Sequence, residues 1–363
     1  MNKSILGYGS FFHKTAIDNI PKTDDSFLGE HHLFYAGRYA MRFIFEAVLK
    51  EHEIKTIWLP SYYCPFVKDW LQHTFSQIAY YDIDPFDPGA KVNFSEYGTT
   101  DMVLVNNFWG LKSNTMPKGE RPIIIEDHSH GWLTQGCIES EADFCIASLR
   151  KTLPVPLGGI AWKPIKSKST IAFPSLQKSS AMDMPNAMTA SWEAMSMAME
   201  QKGNCEDEKD KNAFLATYNQ GESLLRDIQE IIPLQNEHEK IIRNALFRDF
   251  NSFKATNSAY IKTKINQYSS FKLLDANNQV PFGLLLIFKD RESLVDLKQF
   301  LVSNAIYPAE LWPQNSIAYT FQFLLNIHID FRYEAEDLDY IAKVLNTYHT
   351  SISSTYNIRL KIM

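Results

Sequence analysis

Between residues 36 and 163 the chain alternates helix-periodic stretches with short continuous apolar runs, the pattern of a mostly parallel sheet covered by helices. Ala40, Phe43, Ile44, Ala47 and Val48 recur at helical spacing after Gly37, and Thr56-Ile57-Trp58-Leu59-Pro60 then reads as a buried strand stopped by proline. Residues 102–105, 123–125 and 144–147 are three further runs of strand length, each giving way to polar residues. Residues 182–200 read as a helix carrying Met182, Met184, Met188, Met195, Met197 and Met199 around Trp192; core packing is the ordinary use of so many methionines, lining a site the rarer one. The charged residues 203–212 predict a solvated turn, and 213–250 a return to helix. From about residue 281 the pattern changes to a strand over 281–288, an amphipathic helix over 291–304 and a last clear helix over 336–348. Residues 350–355 are too rich in Ser and Thr to assign.

A chain of 363 residues exceeds what one core usually organises. The expected division is a large α/β domain over residues 1–230 and a small C-terminal α+β domain over 231–363. Apolar residues at 45% and charged residues at 21% describe an ordinary globular protein. A formal charge of -6 argues against neutralising nucleic-acid phosphates as the main activity. Cys64, Cys137, Cys145 and Cys205 are scattered, without metal-ligand spacing or the density of a disulfide scaffold. No stretch has the apolar length of a signal peptide or a membrane span, so the expectation is a cytoplasmic protein with no membrane partner.

In open α/β sheets functional groups gather at the carboxyl ends of strands, here residues 61–64, 106–110, 127–130 and 148–151. Two of these groups carry a matched pair. Asp127 follows Ile123-Ile124-Ile125-Glu126, and Lys151 follows Ser148-Leu149-Arg150, 24 residues later and just ahead of Gly158-Gly159. Pyridoxal-phosphate (PLP) chemistry needs these residue types: an amine to hold the aldehyde as a Schiff base, and a carboxylate to keep the pyridine nitrogen protonated. Alone, such an Asp is ordinarily a turn residue and such a Lys a solvated one. His128 and His130 beside Asp127 also have the spacing of metal ligands, a reading that leaves Lys151 unexplained and no metal expected.

The motif Glu126-Asp127-His128-Ser129-His130-Gly131 resembles the Glu-Asp-Ala-Ala-(Gln or His) run of the DegT/DnrJ/EryC1/StrS sugar aminotransferases, and the likeness extends over most of residues 30–350. It implies an aspartate-aminotransferase-like (PLP fold type I) large domain with a mostly parallel seven-stranded sheet, plus a small C-terminal α+β domain. Asp127 is then bonded to the pyridine nitrogen, His130 lies beside the ring, Lys151 carries the cofactor and Ser148 contacts its phosphate. Ala36-Gly37-Arg38-Tyr39 stands where the family has a Ser-Gly-Thr turn, so Gly37, Arg38 and Tyr39 are expected to help bind the phosphate; the Arg38 side chain joins that site, meets an anionic substrate or is structural. Tyr63 or Tyr62 is the ring expected to stack on PLP. Asn107-Phe108-Trp109-Gly110 resembles a turn that reaches the site, with core packing the equal alternative. Asp330 and Arg332, in a segment like the family's closing one, are expected to be structural.

The family's Gly-Tyr-Asn-Tyr-Arg segment, which completes the partner subunit's site, is not recognisable, and only Asn219 and Arg243 stand near as substitutes. The resemblance implies a homodimer that moves an amino group from Glu or Gln to a keto-sugar, nucleotide-linked, in surface-polysaccharide or secondary-metabolite biosynthesis. Two alternatives accompany it: a PLP-dependent sugar dehydratase, which typically has histidine in place of Lys151, and a non-catalytic regulatory protein retaining the fold.

Overall fold

The computed structural model describes residues 6–176, 187–266 and 270–362, so Met182 and Met184 lie outside the described residues. Its centre is a seven-stranded sheet in the order β1-β7-β6-β5-β4-β2-β3. The strands are β1 (Leu28–Phe34), β2 (Thr56–Pro60), β3 (Ile78–Tyr81), β4 (Asp101–Asn106), β5 (Ile123–Asp127), β6 (Phe144–Ala147) and β7 (Gly159–Pro164). Pairings from β3 through β6 are parallel, and β7 runs antiparallel to both neighbours. The four apolar runs read from the sequence are β2, β4, β5 and β6. Their continuous hydrophobicity follows from burial on both faces, with Val103, Leu104, Ile124 and Ile125 fully inaccessible.

Helix α1 (Gly37–Glu51) packs on this sheet through Ala40, Ile44, Phe45 and Val48. Its first turn approaches two strand ends closely: a Cβ on Gly159 would stand 2.3 Å from the Ala36 carbonyl carbon, and one on Gly37 2.8 Å from Ser148 Cβ. Both positions need glycine because backbone is packed against them. Helix α2 (Pro65–Thr74) follows β2 and begins with proline, whose fixed φ suits a first helical position. A single turn, α3 (Gln135–Ile138), follows β5.

Helices α4 (Ala187–Gly203) and α5 (Glu208–Asp227) form a hairpin; Asp207 caps α5 by accepting from Asp210 N. The helical stretch expected over 213–250 is interrupted at residues 228–235, which contain Pro233, and resumes as α6 (Asn236–Leu246) and α7 (Phe250–Lys262).

A second sheet, antiparallel and ordered β10-β11-β9-β8, comprises β8 (Lys272–Leu274), β9 (Leu284–Phe288), β10 (Ala309–Glu310) and β11 (Phe323–Ile327). Strand periodicity divides β9 between two cores. Leu284, Leu286 and Phe288 join a smaller cluster with helix α8 (Arg291–Ser303) and helix α9 (Ala335–Ile362), while Leu285 and Ile287 face the larger cluster of the seven-stranded sheet. Residues 350–355, left unassigned above, continue α9. Among the described residues, no helix is long and apolar enough to cross a membrane.

Candidate functional site

The parallel strands deliver their last residues to one edge of the sheet. Asn106, Asp127 and Ile146 are direct neighbours in the β4-β5-β6 register, and Tyr63 arrives from the turn after β2. Asp127 is buried. Its Oδ1 accepts from Ser129 N at 2.8 Å, and its Oδ2 accepts from the Tyr63 hydroxyl and from Asn106 Nδ2 at 3.3 Å. Burial foremost, and the Asp127 carboxylate next, push the Tyr63 phenol well up, so Tyr63 keeps its proton and donates. Ser129 Oγ in turn accepts from Ser148 N at 2.8 Å, tying the turn after β6 to the turn after β5.

Lys151 ends a short 3-10 turn after β6. Its Nζ lies 3.4 Å from His130 Nε2 and 5.7 Å from the centre of the Trp312 ring; among the described residues it has no carboxylate partner. His130 is buried, with Trp109 stacked on it at 5.0 Å, Trp312 at 5.1 Å and Phe282 at 4.7 Å. Among the described residues its Nδ1 has no hydrogen-bond partner. Burial first, then the Lys151 amine, hold this imidazole well below its ordinary value, so it is neutral.

Lys151 and His130 face a cavity of about 430 Å³ whose other walls include Arg150, residues 9–12, residues 307–309, Trp312 and His328. Arg150 is held bidentately by Glu222. Trp312 sits in the connection from β10 to β11 with a left-handed φ of 57°, unusual for a bulky side chain. That connection is fastened to the turn after β2: Tyr62 donates to Leu311 O at 3.0 Å, and Asn315 Nδ2 donates to Tyr63 O at 2.8 Å.

The structure pairs Lys151 with His130 and Tyr63 with Asp127, with Trp312 against Tyr63, His130 and Lys151, and separately sets Ser148 against Gly37; Asp127 and Tyr63 are not among the residues that line the cavity. The side chains of Arg38 and Tyr39 are elsewhere. Arg38 donates to the carbonyls of Leu225 and Ile228, the latter at 3.4 Å, and lies over Phe66 and Trp70; Tyr39 donates to Ile228 O at 3.1 Å. Of the four expected phosphate-binding residues, Gly37, Arg38, Tyr39 and Ser148, Arg38 can therefore offer only its backbone, and the Tyr39 amide already donates to Ala36 O at 3.1 Å. Among the described residues no side chain caps the α1 N-terminus, so the Gly37 and Arg38 amides of its first turn are without a side-chain acceptor. Tyr63 is engaged by Asp127, and the Tyr62 ring packs on Phe86 and Trp312. The rings against His130 belong to Trp109, Phe282 and Trp312. Of these, Phe282 and Trp312 were not singled out from sequence as site residues; the only signal for Trp312 was a large apolar residue outside any periodic run.

His128 points away from His130. Lys112 N donates to Asn107 Oδ1 at 3.0 Å, so Asn107 Nδ2 is the atom facing His128 Nδ1 at 3.2 Å, and His128 donates from Nε2 to Glu126 Oε2 at 3.1 Å. Glu126 also accepts from Asn114 and Ser140, and Ser140 contacts Cys145. Glu126, His128 and Cys145 lie close enough to hold an ion, but their donor atoms are spent on one another and on these neighbours. Asn219 is exposed and Arg243 pairs with Glu239.

Compared with known proteins, the sequence matches no family model and no curated protein. Solved structures do match. A protein described as a sugar aminotransferase, Spr1654 from Streptococcus pneumoniae in its PMP form, superposes with a TM-score of 0.57 at 11% identity over 94% of each chain. DesI, solved in the presence of its TDP-sugar product, gives 0.54 at 12% identity over 92% of this chain and 84% of that one. A DegT/DnrJ/EryC1/StrS aminotransferase from Brucella abortus gives 0.52 at 10% identity over 89% and 86%. At such identities the likeness establishes architecture, and the chain has the aspartate-aminotransferase-like, PLP fold type I, fold that its motifs imply.

Proposed function

We propose that the chain is a PLP-dependent aminotransferase that moves an amino group from an amino acid, Glu or Gln, to a keto-sugar, nucleotide-linked as in the TDP-sugar complex of DesI, and works as a homodimer. The observation that carries this reading is Lys151: a strand-end amine on a cavity wall, in reach of His130 and without a carboxylate partner among the described residues.

The surrounding residues fit the cofactor. His130 lines the cavity with its Nε2 toward Lys151, and among the described residues its buried Nδ1 is without a hydrogen-bond partner. Asp127 accepts three hydrogen bonds of the roughly four lone-pair sites a carboxylate offers, leaving one for a protonated ring nitrogen. The uncapped first turn of α1, with Ser148 against Gly37, suits a phosphate.

Bound PLP supplies a ring that accepts electrons from the donor's α-carbon. Asp127 would keep the ring nitrogen protonated, with the Tyr63 and Ser129 bonds fixing the carboxylate's orientation for that task. Lys151 would hold the cofactor, and its Nζ is the base that would take the donor's α-proton. His130, kept neutral, does not repel the cationic form of that amine. The aromatic wall of Trp109, Phe282 and Trp312 limits water around the reacting atoms.

One feature favours a second reading, a non-catalytic protein that keeps the fold: Trp312 packs against both the Asp127-bonded Tyr63, at 5.5 Å, and the Lys151 amine. Purified protein mixed with PLP separates the two. The enzyme develops visible absorbance that Lys151→Ala lacks and that Glu or Gln bleaches; protein that stays colourless supports the second reading.

A further inference from the structure

Trp312 stands where the two halves of the site meet. Its ring centre lies 5.7 Å from Lys151 Nζ and 5.1 Å from the His130 ring, and all three residues line the cavity. The same ring lies 5.5 Å from that of Tyr63, whose hydroxyl donates to Asp127. Neither Tyr63 nor Asp127 lines the cavity, so the indole walls off the Lys151 half from the Asp127 half. A cofactor bonded to Lys151 and reaching Asp127 has to take the space that the indole fills.

The segment that carries the indole is lightly rooted. Trp312 has a left-handed φ of 57°, a backbone state that a bulky L-residue keeps only while its surroundings hold it. Among the described residues of the connection 311–322, Trp312 alone is buried. The backbone bonds of this connection to the small sheet sit at its two ends, Leu311 N to Leu324 O at 3.2 Å and Gln322 N to Phe288 O at 2.9 Å. Between them Asn315 is the fastening: its Nδ2 donates to Tyr63 O at 2.8 Å, and its Oδ1 accepts from Lys68 Nζ at 2.7 Å. A segment with one buried side chain and few backbone bonds opens at a lower free energy than a strand such as β9, whose residues are all buried. A return of the Trp312 φ to negative values would relieve the strain and re-aim the indole.

We infer that Trp312 is a plug between Lys151 and Asp127, and that residues 311–322 swing it out, pivoting at their fastened ends, to admit the cofactor. This rests on the reading of Lys151 as the residue that holds PLP and adds the conformational step that must precede it. The strained φ and the Asn315 fastening are then the two sides of one balance, the first favouring the open position and the second the closed one.

The test follows the growth of the visible band after full-length protein is mixed with PLP over a range of concentrations. Opening before entry predicts a wild-type rate that levels off as PLP rises, because the swing then sets the pace. Trp312→Ala should colour at least about tenfold faster at the highest PLP concentration. Asn315→Ala keeps the indole but unfastens its carrier and should also raise the plateau, so a Trp312→Ala protein that fails to fold does not remove the test. A plateau that neither variant moves, or a wild-type rate that stays proportional to PLP and matches both variants within about twofold, overturns the plug. A band that forms in Trp312→Ala alone overturns its opening. Wild type and both variants all remaining colourless overturns the cofactor reading itself, and the plug with it.

Discussion

Glu126 and Asp127 are adjacent carboxylates with opposite surroundings, because successive residues of a strand face opposite sides of a sheet. Asp127 joins the aromatic side, under Tyr63. Glu126 joins a sealed polar knot with His128, Asn114 and Ser140. Its carboxyl is held below the ordinary value because His128, Ser140 and Asn114 together outweigh burial, which alone would raise it. His128→Leu removes one donor from a buried carboxylate and should cost about 3 kcal/mol of stability, read as a lower urea midpoint. A loss within about 0.5 kcal/mol, the range of an ordinary surface change, would mean that the knot does not hold the end of β5. The positions of Asp127 and Lys151 could be read from sequence because each follows a continuous apolar run, and the structure places Asp127 at the end of β5 and Lys151 in the turn after β6. The place of the Arg38 side chain could not, since its sequence position beside Gly37 says nothing about the Leu225 and Ile228 carbonyls nearly 190 residues away.

At the scale of elements, continuous apolar runs gave away the buried strands: β2 and β6 coincide residue for residue with the runs read from the sequence. Strand β1 was missed because Gly29, Glu30, His31 and His32 interrupt its apolar pattern at the edge of the sheet, and β7 because its opening Gly159 reads as a turn. The strap of residues 9–12 and the connection bearing Trp312 have no periodicity. Their places are set by contacts distant in sequence, Arg332 for the strap and Asn315 for the connection. Arg332→Met should release the strap while leaving Asp330 buried without its cation. The expected outcome is a rise of KM for the acceptor that exceeds the change in kcat, with faster proteolysis near the N-terminus. Unaltered KM and unaltered proteolysis would contradict the anchoring role.

Across the whole molecule, the small sheet lies between two cores, one face on each, and so couples the cavity wall at His328 to both. Burial drives His328 down to about 3, with Asp330 opposing and Arg332, Lys254 and Lys202 among the facing charges. The unfolded chain takes up a proton here near its ordinary value of about 6.5, whereas the folded chain does so only near 3. Stability from this group is therefore complete above about pH 6.5 and is lost progressively as pH falls toward 3. His130, also lowered by burial first and Lys151 next, acts in the same direction. The urea midpoint should fall between pH 6.5 and 4.5, and less steeply in His328→Gln; a flat midpoint over that interval would contradict the burial of these imidazoles. If Lys151 carries a cofactor in this fold and transfers amino groups, purified protein mixed with PLP will show a visible band that is absent in Lys151→Ala and bleached by Glu or Gln. A wild-type protein that stays colourless in excess PLP would rule that role out.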